Sequence, residues 1–226
     1  MPIPPNTPVI IGVGFCQEKQ DDALSSAEPV QLMINAVRDA ARDAGSIDIL
    51  PQLDSISVEQ GMWDYRNPGK LIADAVGCPA AKSVLADLGV LQMTPLFNLF
   101  EAIRNGEQQL GVVTGGEAKY RELRAKIAGV PLSNTQQGDD TPAPDVYHPT
   151  PDPFATDVEA TAGIFMPVEL FAVIESAIRH AQGLSPAQHR DKIAALYSQF
   201  SEIASRNPHA WSRDVVPADE IRNAGG

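Results

Sequence analysis

Residues 88–120, LGVLQMTPLFNLFEAIRNGEQQLGVVTGGEAKY, decide the architecture. Thr94-Pro95 predicts a helix start, because threonine caps free amides and proline suits the first turn, where its missing N–H costs nothing. Leu96, Leu99, Phe100 and Ile103 recur at helical spacing and line one face. Asn105-Gly106 ends that helix. Leu110 to Thr114 is a short, Val-rich run closed by Gly115-Gly116, the pattern of a buried strand. A helix feeding directly into such a strand is half of a βαβ unit, which calls for a parallel sheet covered by helices.

Working outward, Pro8 to Phe15 (PVIIGVGF) predicts a first strand. Glu28 to Ala44 predicts an amphipathic helix, with Val30, Met33, Ile34, Val37, Ala41 and Ala44 on one face and Gly45 as its stop. Leu53 to Glu59 predicts a second strand with Ile56 and Val58 on the same side. Leu71 to Val76 reads as a short helix ended by Gly77, and Ser83 to Leu88 as a weaker third strand. The resulting order, βαβαβαβ, is that of an α/β fold. The rhythm then breaks. Gly129 to Pro153 is rich in Pro, Asp, Thr and Gln and reads as surface loop, extending to about residue 160. Two long helices are predicted after it, at about 167–182 and 186–206. Ser185-Pro186-x-Gln188 opens the second as a capping box, and Asn207-Pro208 closes it. Pro217-x-Asp219-Glu220 signals one more helix start. The expected division is an α/β domain over residues 1–118 and a mainly helical, loop-rich domain over 119–226, from which nothing returns to the sheet.

Composition bounds the function. The chain of 226 residues carries a formal net charge of −12, which argues against non-specific nucleic-acid binding, since that needs cationic surface. There is no apolar run of about 18 residues to span a membrane and no basic, apolar leader. The two cysteines, Cys16 and Cys78, form no CxxC pair and fit a reducing, cytoplasmic setting.

Five segments, taken in order and spacing, resemble the amino-terminal half of the thiolase superfamily, specifically the sterol-carrier-protein-type and acetyl-CoA acetyltransferase-like thiolases. They are PVIIGVG at 8–14, EPVQLMINAVRDAARDAG at 28–45, DSISVEQGMWDYRNPGKLIADAVG at 54–77, MTPLFNLFEAIRNGEQQLGVVTGGEA at 93–118 and ASRNPHAWSR at 204–213. The resemblance implies a sheet-and-helix half with a loop domain from about residue 119 that covers an acyl-CoA. It implies acyl transfer from a CoA thioester, or thiolytic cleavage of a 3-oxoacyl-CoA, as part of lipid metabolism, with coenzyme A thioester as substrate and no covalently bound cofactor. It also implies a homodimer, or a complex with a separate carboxy-terminal thiolase-like chain supplying the second half, its GHP-like histidine and its second cysteine. By the same resemblance the nucleophilic cysteine belongs on the turn before the helix at 94, and Leu91 stands there. Leucine cannot carry an acyl group, and no cysteine lies between 79 and 226. The lone chain is therefore expected to be catalytically incomplete: an acyltransferase-class subunit or fragment, or alternatively a non-catalytic binding or assembly subunit.

The remaining chemistry-bearing residues read modestly. Cys16 and Cys78 suit packing better than nucleophilic roles. The four histidines, 148, 180, 189 and 209, lack zinc-site spacing. His209, Trp211 and Arg213, in the NPHAWSR segment that the resemblance places near the site cover, are the candidate substrate contacts. Gly12-x-Gly14 lacks the third glycine of a dinucleotide fingerprint. Thr114-Gly115-Gly116-Glu117 ends a strand, where α/β sheets often bind ligands; close packing or a dimer contact explains it equally. Trp63, Tyr65 and Arg66 suit a subunit contact, or second a substrate cover.

Overall fold

The computed structural model describes residues 4–90, 92–150, 155–164 and 166–224. The chain forms two compact units, Met1–Asp152 and Pro153–Gly226.

The first unit grows from helix α1 (Pro29–Asp43). Pro29 occupies its first turn, and Val30, Met33, Ile34, Val37 and Ala41 form the buried stripe that the periodicity predicts. Gly45 follows with φ 98°, a left-handed backbone that a side chain would strain. A 3-10 turn, Ile47–Gln52, leads into β1 (Ser55–Glu59), whose Ile56 and Val58 are completely buried. Asn67 caps α2 (Pro68–Val76), its Oδ1 accepting from Lys70 N at 3.0 Å, and Gly77 ends it in the left-handed region. Strand β2 (Lys82–Ala86) follows. Helix α3 (Met93–Arg104) leads to β3 (Gly111–Gly115), and α4 (Lys119–Ala128) precedes β4 (Val146–His148).

All ladders are parallel, in the order β3-β1-β2-β4. Register fixes the faces. Ile56 and Val58 pack into one core with Met33, Val37, Ile72 and Leu85, so α1 and α2 cover that face. Each such aliphatic side chain withdrawn from water contributes about 1.5–3 kcal/mol. Ser55, Ser57 and Glu59 point to the other face, on which α3 lies. A Cβ at Gly111 would meet both Leu99 and the Ser55 hydroxyl there, at 2.6 and 2.8 Å. Asp54 pins the start of β3, its Oδ2 accepting from Gln109 N at 2.7 Å and Leu110 N at 3.0 Å.

Four expectations need correction. Residues 8–15 join no ladder: the sheet ends at β3, which pairs on one side only, with β1. They lie instead against α1, with Val13 N donating to Asp43 Oδ2 at 2.9 Å. Second, the sheet gains β4 from within the stretch expected to be loop. Asp145 Oδ2 accepts from Ser83 N and Ser83 Oγ, both at 2.8 Å, and Asp87 N donates to His148 O at 2.9 Å, drawing a three-residue strand onto β2. Third, α4 is a helix that the periodicity did not predict, because Ala125 is its only buried residue among those described. Residues 119–150 thus lie within the first compact unit. Fourth, α3 begins at Met93, one residue before Thr94, with no side-chain cap; Pro95 is buried in the first turn as expected.

In the second unit α5 (Asp157–Thr161) carries a Thr156–Glu159 capping box. Helices α6 (Pro167–Ala181) and α7 (Pro186–Arg206) match their predicted spans. The Ser185–Gln188 box forms, with Gln188 N donating to Ser185 Oγ at 3.3 Å and Ser185 N to Gln188 Oε1 at 2.9 Å. His189 Nε2 meets Glu175 Oε2 at 2.9 Å, clipping α7 to α6. Helix α8 (Ala218–Asn223) is tied to α7 by the Arg222–Asp191 ion pair.

Candidate functional site

In a parallel sheet every strand delivers its carboxyl end to the same edge, and ligands of open α/β sheets gather there. That edge carries Glu59 from β1, Asp87 after β2, Gly115-Gly116-Glu117 from β3 and His148 from β4.

Glu59 is the least settled group. Its Oε1 is buried with no hydrogen-bond partner among the described residues. Burial pushes its carboxyl up from the ordinary range. A Cβ on Gly115 would sit 3.0 Å from the Glu59 Cβ, so glycine there leaves room for the carboxylate. Glu117, by contrast, is occupied. Its Oε1 accepts from Met62 N at 2.5 Å, and its Oε2 lies 3.7 Å from Lys119 Nζ. Asp87 feels burial, which raises its pKa. Hydrogen bonds from the Tyr147 hydroxyl and from Thr150 and Leu88 outweigh that and hold the carboxyl below its usual range. His148 Nε2 lies 3.5 Å from Asn98 Nδ2 of α3. Two strand spacings separate β1 from β4 in the sheet, about 10 Å, so Glu59 and His148 are not a bonded acid–base dyad.

The loop after β1 is a structural pillar. Trp63 and Tyr65 are buried with ring centroids 5.0 Å apart. Trp63 Nε1 donates to Gly116 O at 2.9 Å, and the Tyr65 hydroxyl donates to Glu28 Oε2 at 3.0 Å while accepting from Val30 N at 3.3 Å. Burial pushes the Tyr65 phenol far up. These rings pack inside the chain, which corrects the expected subunit contact. Arg66 alone of that trio is well exposed, 3.9 Å from Asp139.

No cysteine follows the carboxyl end of any of the four strands. Leu91, the expected nucleophile position, lies outside the described residues. Cys78 precedes β2, at the amino edge of the sheet, where burial pushes its thiol up and away from reactivity. Cys16 is partly buried beyond the extended segment. No group of three potential metal ligands occurs among the described residues.

The sequence-named contacts His209, Trp211 and Arg213 fall in the second unit, on the segment joining α7 to α8, and all three are exposed. His209 N donates to Asn207 Oδ1 at 3.0 Å. The Arg213 guanidinium donates to Ser205 O at 3.3 and 3.2 Å, neutralising the carbonyl end of α7. The sequence reading passed over Glu59 and Asp87, since a single acidic residue ending a strand carries no pattern. The findable signal was position: both end strands aimed at one edge.

No protein-family model matches the sequence, and no curated protein matches it. Among solved structures, the chain resembles a monomeric SCP2-thiolase-like protein type 1 from Mycobacterium smegmatis, with a TM-score of 0.66 at 21% identity. The match covers 97% of this chain and 40% of that one, so the chain spans less than half of its neighbour's length. The fold is thus that of an SCP2-thiolase-like protein.

Proposed function

We propose that this chain is a thiolase-like component for CoA thioesters that performs no acyl transfer by itself. One observation carries the reading: the fold matches a thiolase-like protein across nearly the whole chain, yet no strand of the sheet delivers a cysteine to its carboxyl edge. Claisen chemistry of the thiolase kind needs a thiolate to hold the acyl group and an acid–base partner to move the proton. Asp87 is committed to local hydrogen bonds, and Glu59 and His148 stand too far apart to act as one unit. What remains is binding. The exposed His209, Trp211 and Arg213 offer an aromatic plane and cationic or polar tips for a nucleotide phosphate, the role the thiolase resemblance gives their segment. With the rest of a thiolase-like fold in place, the reaction would be acyl transfer or thiolysis of a 3-oxoacyl-CoA.

The test is thiolysis of acetoacetyl-CoA with free CoA, followed as loss of enolate absorbance, alongside calorimetric titration with acetyl-CoA. No turnover is expected, and weak acetyl-CoA binding that falls at least about tenfold in the Trp211→Ala, Arg213→Ala double variant, on the order of 1.4 kcal/mol. Turnover that persists in Cys16→Ala, Cys78→Ala protein would reveal a cysteine-independent mechanism. Turnover lost in Cys16→Ala alone would place the nucleophile there.

A further inference from the structure

Of the chain's asparagines only Asn105 is followed by glycine, and that pair ends α3. Asparagine is a chemically labile residue. The backbone nitrogen of the next residue can attack its side-chain carbonyl carbon, most readily when that residue is glycine and has no side chain to hinder the approach. The proton on that nitrogen leaves with the side-chain amide as ammonia, and a cyclic imide remains. Water then opens the ring on one side or the other. Cleavage at the side-chain carbonyl gives aspartate. Cleavage at the backbone carbonyl gives isoaspartate, in which the chain runs through the former side chain. Water is the sole co-reactant.

The space around this pair is open. Asn105, Gly106 and Glu107 are all exposed. Among the described residues, a Cβ on Gly106 would meet only Asn6 Nδ2, 3.6 Å away. The Asn105 amide makes one contact between exposed groups, its Nδ2 donating to Glu107 Oε1 at 3.3 Å. The backbone, however, holds the reaction back. Asn105 lies in the right-handed helical region, φ −79° and ψ −5°, which turns the Gly106 nitrogen away from the side chain. Gly106 N donates to Ile103 O at 3.0 Å, and Glu107 N to Ala102 O at 2.9 Å. Ring closure needs rotation about ψ of Asn105, and that rotation breaks both bonds. They belong to the last turn of a helix, the part that frays.

Elsewhere the fold closes the same route. Asn67 and Asn207 precede proline, which has no N–H to give up. Asn35 and Asn98 lie inside α1 and α3. The Asn134 side chain accepts from Arg121 Nη1 at 2.9 Å, and the nitrogen after it, Thr135 N, donates to Glu28 Oε2 at 2.6 Å. After Asn6 and Asn223 come residues with side chains whose nitrogens are already bonded, Thr7 N to Pro4 O at 3.1 Å and Ala224 N to Glu220 O at 2.9 Å.

We propose that Asn105-Gly106 is a self-modifying site: opening of the last turn of α3 lets Gly106 N close on Asn105 Cγ, and the chain converts there to aspartate or isoaspartate. The product does not restore the helix end. Its new carboxylate stands at the negative end of the α3 dipole and beside Glu107. Isoaspartate also adds a methylene to the backbone, so Gly106 N and Glu107 N no longer reach their carbonyls in register. The change stays local, because Asp54 Oδ2 anchors the following segment through Gln109 N and Leu110 N. The conversion is independent of acyl-CoA binding.

The test is incubation of the full chain in mildly alkaline buffer, with samples digested at acid pH and read by mass spectrometry for the mass gain of amide-to-acid conversion. A synthetic Arg-Asn-Gly-Glu-Gln peptide, incubated alongside, reports the same bond without the helix. Conversion is expected at Asn105 alone, about tenfold slower than in the peptide, and at the peptide's rate once the chain is unfolded in urea. Isoaspartate is read by methyl transfer from S-adenosylmethionine with an isoaspartyl methyltransferase. In the converted chain, hydrogen exchange is expected to be faster at Gly106 and Glu107 and unchanged in 111–115. No acid at Asn105 after about ten half-lives of the peptide reaction overturns the proposal. A folded-chain rate equal to the peptide's overturns the gate. A mass gain that persists in Asn105→Gln protein, whose longer side chain would have to close a larger ring, places the reaction elsewhere and also overturns it.

Discussion

Glu59 shows how one residue's position outweighs its type. It closes the central strand, its neighbour across the ladder is Gly115, and its Oε1 is buried without a partner among the described residues. Burial raises its folded-state pKa above the unfolded value, so the native state binds more protons than the unfolded chain. Its contribution is therefore fully present below the ordinary carboxylate range, near pH 4.5, and is lost as pH rises through the folded pKa. Glu59→Gln removes that loss. The variant is expected to melt about 1 °C higher than wild type at pH 7, solvent screening tempering the effect, and to show no gain at pH 4, measured by calorimetry. An equal gain at both pH values would mean that packing, not ionisation, governs the site. In sequence, Glu59 was simply the polar end of a strand; its desolvation arises from the sheet around it.

Among the elements, β4 depends most on a single side chain. Three residues make too short a pattern for periodicity to predict, and tertiary hydrogen bonds place it. Asp145 supplies them, accepting from Ser83 N and Oγ while its own N donates to Ser83 Oγ at 3.1 Å. Those bonds hold its carboxyl below the usual range. The sign is opposite to that of Glu59: this support is present above about pH 4 and is lost as pH falls through the lowered pKa. Asp145→Ala is expected to cost about 1 kcal/mol, the exposed position tempering a charge-assisted bond. It should also release the amides of 146–148 to fast exchange while those of β1 stay protected. Unchanged exchange in β4 would show that the Asp87–His148 backbone bond suffices. The long helices behaved differently. α1, α6 and α7 were readable from the sequence because each repeats its apolar stripe over several turns and carries its own start and stop signals.

At the scale of the molecule, exposed apolar surface is the dominant unsatisfied term. Besides the segment at 9–13, α6 exposes Val168, Phe171 and Val173 by more than half. The neighbouring structure is a monomer, but of a longer chain. The isolated protein of 24.2 kDa is expected to give a light-scattering mass above that value at high concentration. A well-behaved monomer at high concentration would refute it.

By itself the sequence determined the α/β class, the helices with sustained periodicity, the strands it read at 53–59, 83–88 and 110–114, and the want of a nucleophile after any of them. These are local matters: an apolar stripe, a cap or a missing sulfur is complete within a few residues. The tertiary structure decided which extended segments pair. PVIIGVGF has every mark of a strand, yet a ladder needs a neighbour at about 4.8 Å, and that neighbour is not part of the pattern. The unpromising Val146–His148 became a strand because Asp145 found Ser83. Trp63 and Tyr65 became core, and Glu59 lost its water, for the same reason: burial and partnership are properties of the surroundings, which only the folded chain assembles.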